Sequence, residues 1–553
     1  KCSPIIRPIQ CMTSTKNNKQ TIVRRSANYQ PTIWTDDYVQ SLRNPYKGEA
    51  YDILANELKE KVKIMLEEVV DPLEQLELVD TLQRTGLLYH FKDEVKKVLK
   101  SIYNDNHQQK FYATSIEFRL LIQHGYNVPQ DVFNSFKDEN GNIKGDHHDI
   151  MGMLFLYEAS FLLVEFEDTM EDARAFATKH LEEYVKQNKD TYISILVSHA
   201  LELPLHWRMP RAEVKWFIDI YETRNDMKPT LLELAKVDFN MVQATHQEDL
   251  RYASPWWRNT GLAEKLSFAR DRLMESFLWS VGVISEPQFG YCRRVITKVI
   301  ALATTIDDIY DVYGTLDELE LFTNAAERWD INATEKLPDY MKICFLALYN
   351  SMNEIGFDAL KGQGVFIVLH LKKAWTDLCK AYLLEAKWYY NKYTPTLQEY
   401  IDNSWISIAA SVILVHAYSF VPNTITMGAL QCLEKCPKNF QWPAMLLQLA
   451  DDLGTSTIEL DRGDVPKSIQ CYMHESGVCE EDAREHIRYL IGETWKKMNA
   501  ECVANSHFSD VFVEMAKNIG RMGFIYLHGD GHGAQASDLT KPFVVSLFTH
   551  PIP

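Results

Sequence analysis

Glycine and proline are scarce in this chain, 23 and 20 among 553 residues, and its apolar side chains recur at spacings of three and four rather than two. Few turn-formers and no period-two patterning exclude a sandwich or barrel built from many short strands. None of the ten cysteines stands in a C-x-x-C pair. That removes zinc ribbons and dithiol centres, and the scattered thiols read as reduced in an intracellular compartment. Basic charge is short as well, 58 Lys and Arg against 76 Asp and Glu, for a formal charge of −18. A general nucleic-acid binder needs a basic face that neutralises phosphates and releases counterions, so that class is excluded. An anionic small substrate would need a local basic patch or a metal. The longest apolar stretch, Ile406–Val421, carries His416 and several serines and is shorter than the roughly 20 residues that a bilayer requires. It predicts a buried helix and no membrane span.

What is present is apolar and helical. A content of 46% hydrophobic and 12% aromatic residues over this length is enough for two sizeable cores. Tyr51–Val70 places Ile53, Leu54, Leu58, Val62, Ile64, Met65 and Val69 on one stripe with charges opposite, the pattern of an amphipathic core helix. The fold class predicted is all-α, in two helical domains. Turn signals at Glu139–Asn142 and Arg224–Pro229 interrupt the helical pattern, and the second sets the expected boundary. The expected divisions are therefore residues 24–226 and 227–553. Residues 1–23 hold Lys1, Arg7, Lys16 and Lys19, and no acid occurs before Asp36; this basic leader predicts the remnant of an organelle transit peptide.

Two acidic constellations carry the chemistry. Asp307, Asp308 and Asp311 follow the apolar run Val299–Ile306, and residues four apart on a helix share a face. Carboxylates crowded at the end of a buried helix repel one another and resist burial unless a cation joins them. Hard oxygen ligands of this kind suit magnesium or manganese, which bind substrate phosphates. Downstream, Asp451, Thr455 and Glu459 recur at four and eight, a second stripe of oxygen ligands. Metals held between two such stripes attract a polyanion, for which a diphosphate is the obvious candidate. Basic partners are available in Arg270 and Arg272 upstream of the first stripe and Lys467 after the second.

In this order the motifs resemble those of plant terpene synthases, of the angiosperm monoterpene branch. The likeness runs from Arg24 to nearly Pro553. Arg24-Arg25 with eight residues before Trp34 looks like the family's R-R-x8-W, Arg270-Asp271-Arg272 its R-x-R, and Asp307–Asp311 its D-D-x-x-D. Asp451, Thr455 and Glu459 match its second metal motif, and Arg462–Lys467 follows where expected. The resemblance implies an N-terminal α-barrel-like domain without chemistry, since that half lacks a D-x-D-D motif, and a C-terminal class I terpenoid synthase bundle. It implies three magnesium or manganese ions on the two stripes, with Arg270, Gln448 and Lys467 at the diphosphate of a prenyl substrate. Catalytic roles fall by the same likeness to Arg270 and Arg272, to Trp279 as an aromatic face for a carbocation, and to Tyr526 and His532 in a mobile cap. Arg24 and Arg25 would belong to a strand folded over the mouth. The expected activity is ionisation of geranyl diphosphate and cyclisation or release of a ten-carbon product, in the plastid stroma, by a monomer or homodimer. A sesquiterpene synthase acting on farnesyl diphosphate, a chain-elongating prenyltransferase and a helical relative with a non-catalytic binding role are the alternatives. Two departures stand out: Gln448 replaces an arginine of the family, and Ser407–Ser411 lacks the Gly or Pro that breaks the helix in relatives, which predicts a milder break because Ala favours continuous helix.

Overall fold

The computed structural model describes residues 14–17, 20–104, 110–137, 149–164, 168–421, 425–435, 437–503, 508–528 and 540–553; side chains are described at these positions except 14–17, 20–23, 168, 439, 458–462, 502–503 and 526–528. From Asp36 to Phe548 the described chain is a succession of helices joined by short turns. The all-α class holds, with one addition: a small antiparallel ribbon pairs Ser14–Asn17 with Gln20–Val23, Ser14 opposite Val23. The turn Glu139–Asn142 and the leader up to residue 13 lie outside the described residues.

The amphipathic segment forms the helix Glu49–Glu68, but its buried face is narrower than the sequence pattern predicts. Ala55, Leu58, Val62 and Leu66 are buried, whereas Ile53 and Ile64 are 51% and 50% exposed. That helix rests on a 32-residue spine, Pro229–Thr260, which starts on proline and ends at Gly261 in the left-handed region, φ 67°. The spine also packs on Gly290–Asp308, so it is shared by both halves of the chain. Two separate cores are therefore not what forms. One cluster of buried apolar side chains runs from Val39 to Ile552, with two smaller ones beside it. Spine amides tie down the C-terminal end: Asn240 exchanges hydrogen bonds with Ile552, Gln243 donates to the His550 carbonyl and Gln247 to that of Phe548.

The apolar stretch Ile406–Val421 is buried but is not one helix. Leu397–Ser407 ends, Ala409 turns into the left-handed region at φ 64°, and Ala410–Tyr418 begins a new helix. The predicted mild break is thus a full one. Local propensity favours continuation through alanine, and packing overrides it: Ala409, Ala410, Val412 and Ile413 are all buried in the common core. Among the described residues no helix is long and apolar enough to cross a membrane.

Candidate active site

The helix Gly290–Asp308 delivers the first acidic motif and then widens into a π-turn over Ile309–Tyr313. The Gly314 N–H closes this turn onto the Ile309 carbonyl at 2.8 Å. A Cβ on Gly314 would meet that carbonyl at 2.9 Å and Leu319 Cδ2 at 2.5 Å, so only glycine lets it close. Asp307 and Asp311 come out close enough to act on each other. Burial, reinforced by the neighbouring carboxylates of Asp308 and Glu385, pushes Asp307 up to about 6 against the pull of Arg270 and Lys467. Burial and then the Asp307 charge hold Asp311 well above the carboxylate range.

Asp308 does not join that face. It is fully buried and clamped by Arg270, whose backbone N–H donates to Oδ2 at 2.7 Å and whose Nε donates to Oδ1 at 2.9 Å. The expectation that Asp308 is a metal ligand is corrected on that ground: both of its oxygens are spent on one arginine. Arg270 also reaches Asp307, Nη2 to Oδ2 at 2.6 Å, and its guanidinium lies 5.2 Å from the Tyr29 ring centre. It therefore aligns the two adjacent aspartates in different directions, one outward and one inward.

Arg272, the other arginine of the R-x-R, is buried and donates to the Gln30 carbonyl at 2.8 Å. Its place is under the N-terminal segment, not at the acidic face, so the catalytic role expected for it becomes one of positioning. The same segment is pinned at further points. Arg24 makes a two-pronged pair with Glu318, at 2.7 and 2.8 Å, donates to the Tyr313 carbonyl at 2.9 Å, and lies over the rings of Tyr313 and Tyr340. Arg25 joins the two acidic motifs: it donates to the Asp311 carbonyl at 2.7 Å, to the Gly463 carbonyl at 3.1 Å and to Asp464 Oδ1 at 2.8 Å. The crevice between Arg25, Asp311, Tyr389 and Asp464 holds about 10 Å³, scarcely one water. Both guanidinium groups hold the seam closed.

The second motif lies on the unbroken helix Lys438–Arg462, so Asp451, Thr455 and Glu459 share its face as the spacing predicts. The Thr455 hydroxyl donates to the Asp451 carbonyl at 3.0 Å, which leaves its lone pairs available as a ligand. The Glu459 side chain and that of Tyr526, whose backbone lies in the turn Gly523–His528, fall outside the described side chains, and His532 lies outside the described residues. Lys467, just before Ser468–Ser476, faces the first motif and acts on both Asp307 and Asp311. Trp279 is buried in Leu273–Val283, a helix with no exposed residue.

Gln448 departs from the diphosphate contact expected of it. Its amide donates to the Tyr400 hydroxyl at 2.9 Å and to Asp452 Oδ1 at 2.8 Å, and Tyr400 donates to the same oxygen at 2.9 Å. The other Asp452 oxygen accepts from the Ser468 N–H at 3.1 Å. Asp452 is the inward member of its pair, as Asp308 is of the first. Sequence reasoning missed it, along with Glu385, which faces Asp307 and Asp311 from Val368–Asn391 and accepts from Asn403 at 2.9 Å. A lone acid on an otherwise apolar helix face was the available signal for Glu385.

The donor set fits a hard divalent cation. Oxygen ligands predominate, and two half-buried carboxylates are driven toward protonation by desolvation and mutual repulsion, which a cation relieves. Among the described residues no group of three or more His, Cys, Asp or Glu side chains is gathered as a ready cage. Magnesium does not require one, because it keeps waters and shares phosphate oxygens.

Comparison with known proteins agrees with this geometry. Residues 33–201 match the terpene synthase N-terminal domain and residues 258–497 the metal binding domain of the terpene synthase family. Myrcene synthase, chloroplastic, of Quercus ilex is 59% identical across 99% of this chain and 93% of its own. A crystal structure of limonene synthase with 2-fluorolinalyl diphosphate superposes with a TM-score of 0.93 at 45% identity, covering 96% of this chain and 100% of that one. Isoprene synthase from grey poplar (Populus x canescens), in complex with three Mg2+ ions and dimethylallyl-S-thiolodiphosphate, gives 0.87 at 44% identity, over 94% of this chain and 99% of that one. With both domains matched, the chain belongs to the terpene synthase family and is a metal-dependent lyase with monoterpene synthases among its relatives.

Proposed function

We propose that this chain ionises geranyl diphosphate, isomerises and cyclises the carbocation, and releases a ten-carbon olefin or alcohol with diphosphate. The observation that carries it is the pairing of Asp307 and Asp311 on a half-buried face opposite Lys467, under a segment pinned by Arg24 and Arg25. Asp307 and Asp311, with Asp451, Thr455 and Glu459, would hold up to three magnesium or manganese ions, in keeping with the three reported for the poplar enzyme. Bound there, divalent cations supply Lewis acidity and charge neutralisation to the leaving diphosphate. Arg270 orients Asp307 through its 2.6 Å contact. Lys467 adds fixed positive charge on the side where the diphosphate oxygens arrive. The residues around Arg25 seal one edge, and exclusion of water is what keeps a carbocation alive until it rearranges. Trp279 offers an aromatic face that stabilises positive charge without attacking it, about 0.5–2 kcal/mol per ring when desolvated. Tyr526 and His532 remain proposed as groups of the closing cap.

Residues 24–226 and 227–553 are the proposed domains, the first without chemistry of its own, and the plastid stroma is the proposed compartment, in keeping with the chloroplastic relative. Steady-state kinetics with geranyl and farnesyl diphosphate test the chain length. A higher kcat/KM for geranyl diphosphate is expected; a clear preference for the farnesyl substrate refutes the ten-carbon reading and favours the sesquiterpene alternative.

A further inference from the structure

The half of the chain without chemistry is not solid. A cavity of about 520 Å³ opens between the helices Pro72–Arg84, Phe111–Gln123, Ile150–Ser160, Tyr192–Glu202 and Pro210–Tyr221, well inside the roughly 300–1,000 Å³ of small-molecule sites. Its wall is apolar and aromatic: Ile116, Leu154, Phe155, Leu196 and Phe217 line it. Protein interiors pack to near crystal density and collapse around voids when they can. Here a buried ionic lattice braces three of the helices. Arg84 reaches Asp80 at 3.1 Å and Glu158 at 2.5 Å, while Arg119 bridges the same two acids from Phe111–Gln123, with every member at most 11% exposed. Side chains locked to one another in this way cannot swing in to fill the space.

We propose that this cavity is a second binding site, for an uncharged molecule that is mostly apolar and carries one hydroxyl group, a terpenoid alcohol of about the substrate's size. Charge decides the class. The two arginines that line the cavity are already committed, Arg84 to Asp80 and Glu158, and Arg224 at the rim to Asp226 at 2.5 and 2.7 Å. Among the described lining residues each arginine already faces a carboxylate, and Glu77 and Asp80 add negative charge, which disfavours prenyl diphosphates. Beside the hydroxyls of Tyr184 and Tyr192 and the Asn225 amide, the wall offers one carboxylate acceptor outside these ion pairs. Glu77 takes the Tyr112 hydroxyl on Oε1 at 2.7 Å, and among the described residues nothing donates to its other oxygen. A ligand hydroxyl donating to that oxygen, with its carbon skeleton against Leu154, Phe155 and Phe217, satisfies both parts of the cavity. The site shares no lining residue with the acidic face; the choice of a terpenoid skeleton rests on the proposed function.

Isothermal titration of the full chain with geraniol tests it, comparing wild type with Leu154→Trp, which puts an indole where the carbon skeleton would lie, and Glu77→Gln, which keeps the shape and removes the charge of the acceptor. Myrcene, which has no hydroxyl, serves as the comparison ligand. Expected are loss of the geraniol site in Leu154→Trp, about tenfold weaker geraniol binding in Glu77→Gln with myrcene unaffected by that change, and wild-type turnover of prenyl diphosphate in both variants. If Leu154→Trp fails to fold by circular dichroism, Glu77→Gln decides alone. Geraniol binding that is absent from wild type, or unchanged in the folded variants, overturns the proposal; unchanged binding would assign geraniol to the catalytic pocket.

Discussion

Asp307 and Asp308 are adjacent and chemically identical, yet the structure gives them opposite tasks. Asp307 is exposed enough to meet a ligand, and Asp308 is sealed against Arg270. Asp307→Asn is expected to lower turnover about a hundredfold or more while leaving the unfolding midpoint at or above wild type. Asp308→Asn leaves a buried guanidinium short of its counter-charge and should cost about 3 kcal/mol in urea unfolding; stability loss in the first variant rather than the second would reverse the two assignments. Gln448 is the inward glue of the other motif, through Tyr400 and Asp452. Gln448→Ala should cost about 2 kcal/mol by removing one of the two donors to Asp452 Oδ1 and leaving a small void, and Gln448→Arg should leave kcat/KM within a few-fold of wild type. A tenfold gain from the arginine would show that this position faces the diphosphate after all.

At the scale of elements, the spacing of the metal motifs was legible because a helix converts intervals of four into a common face. Other features were not, since they depend on elements distant in sequence. Nothing local distinguishes Asp308 from Asp307 until the Arg270 loop arrives, and Glu385 gains meaning only when Val368–Asn391 packs against the motif. The break at Ala409 ran against propensity. An alanine held at φ 64° carries strain of about 1 kcal/mol that glycine does not feel, so Ala409→Gly should raise the unfolding free energy by roughly that amount; a destabilised variant would mean the Ala409 methyl contributes more by packing than its backbone costs. The N-terminal segment is an element of the site in its own right. Arg25→Ala opens the seam to water, and the expected result is a shift of products toward water-quenched alcohols, read by gas chromatography, with an unchanged product ratio counting against the seal.

For the whole molecule, the desolvated carboxylate pair couples metal binding to folding. Asp307 rises from an ordinary 3.8 to about 6 in the folded chain, so between those values the native state holds more protons than the unfolded one. The associated stability is present at low pH and is lost as pH rises through 6. In EDTA the melting temperature should therefore fall between pH 5 and 7, and magnesium should restore it more at pH 7 than at pH 5; a magnesium effect independent of pH would separate the cation from these carboxylates. That two halves share one spine was not legible either, because composition gives the amount of core and not its continuity. The most direct measurement is product formation from geranyl diphosphate, followed by gas chromatography and mass spectrometry, with magnesium, with EDTA, and with Asp307→Asn. The account predicts ten-carbon products that require magnesium and vanish in the folded variant; undiminished product in EDTA or from Asp307→Asn would contradict it.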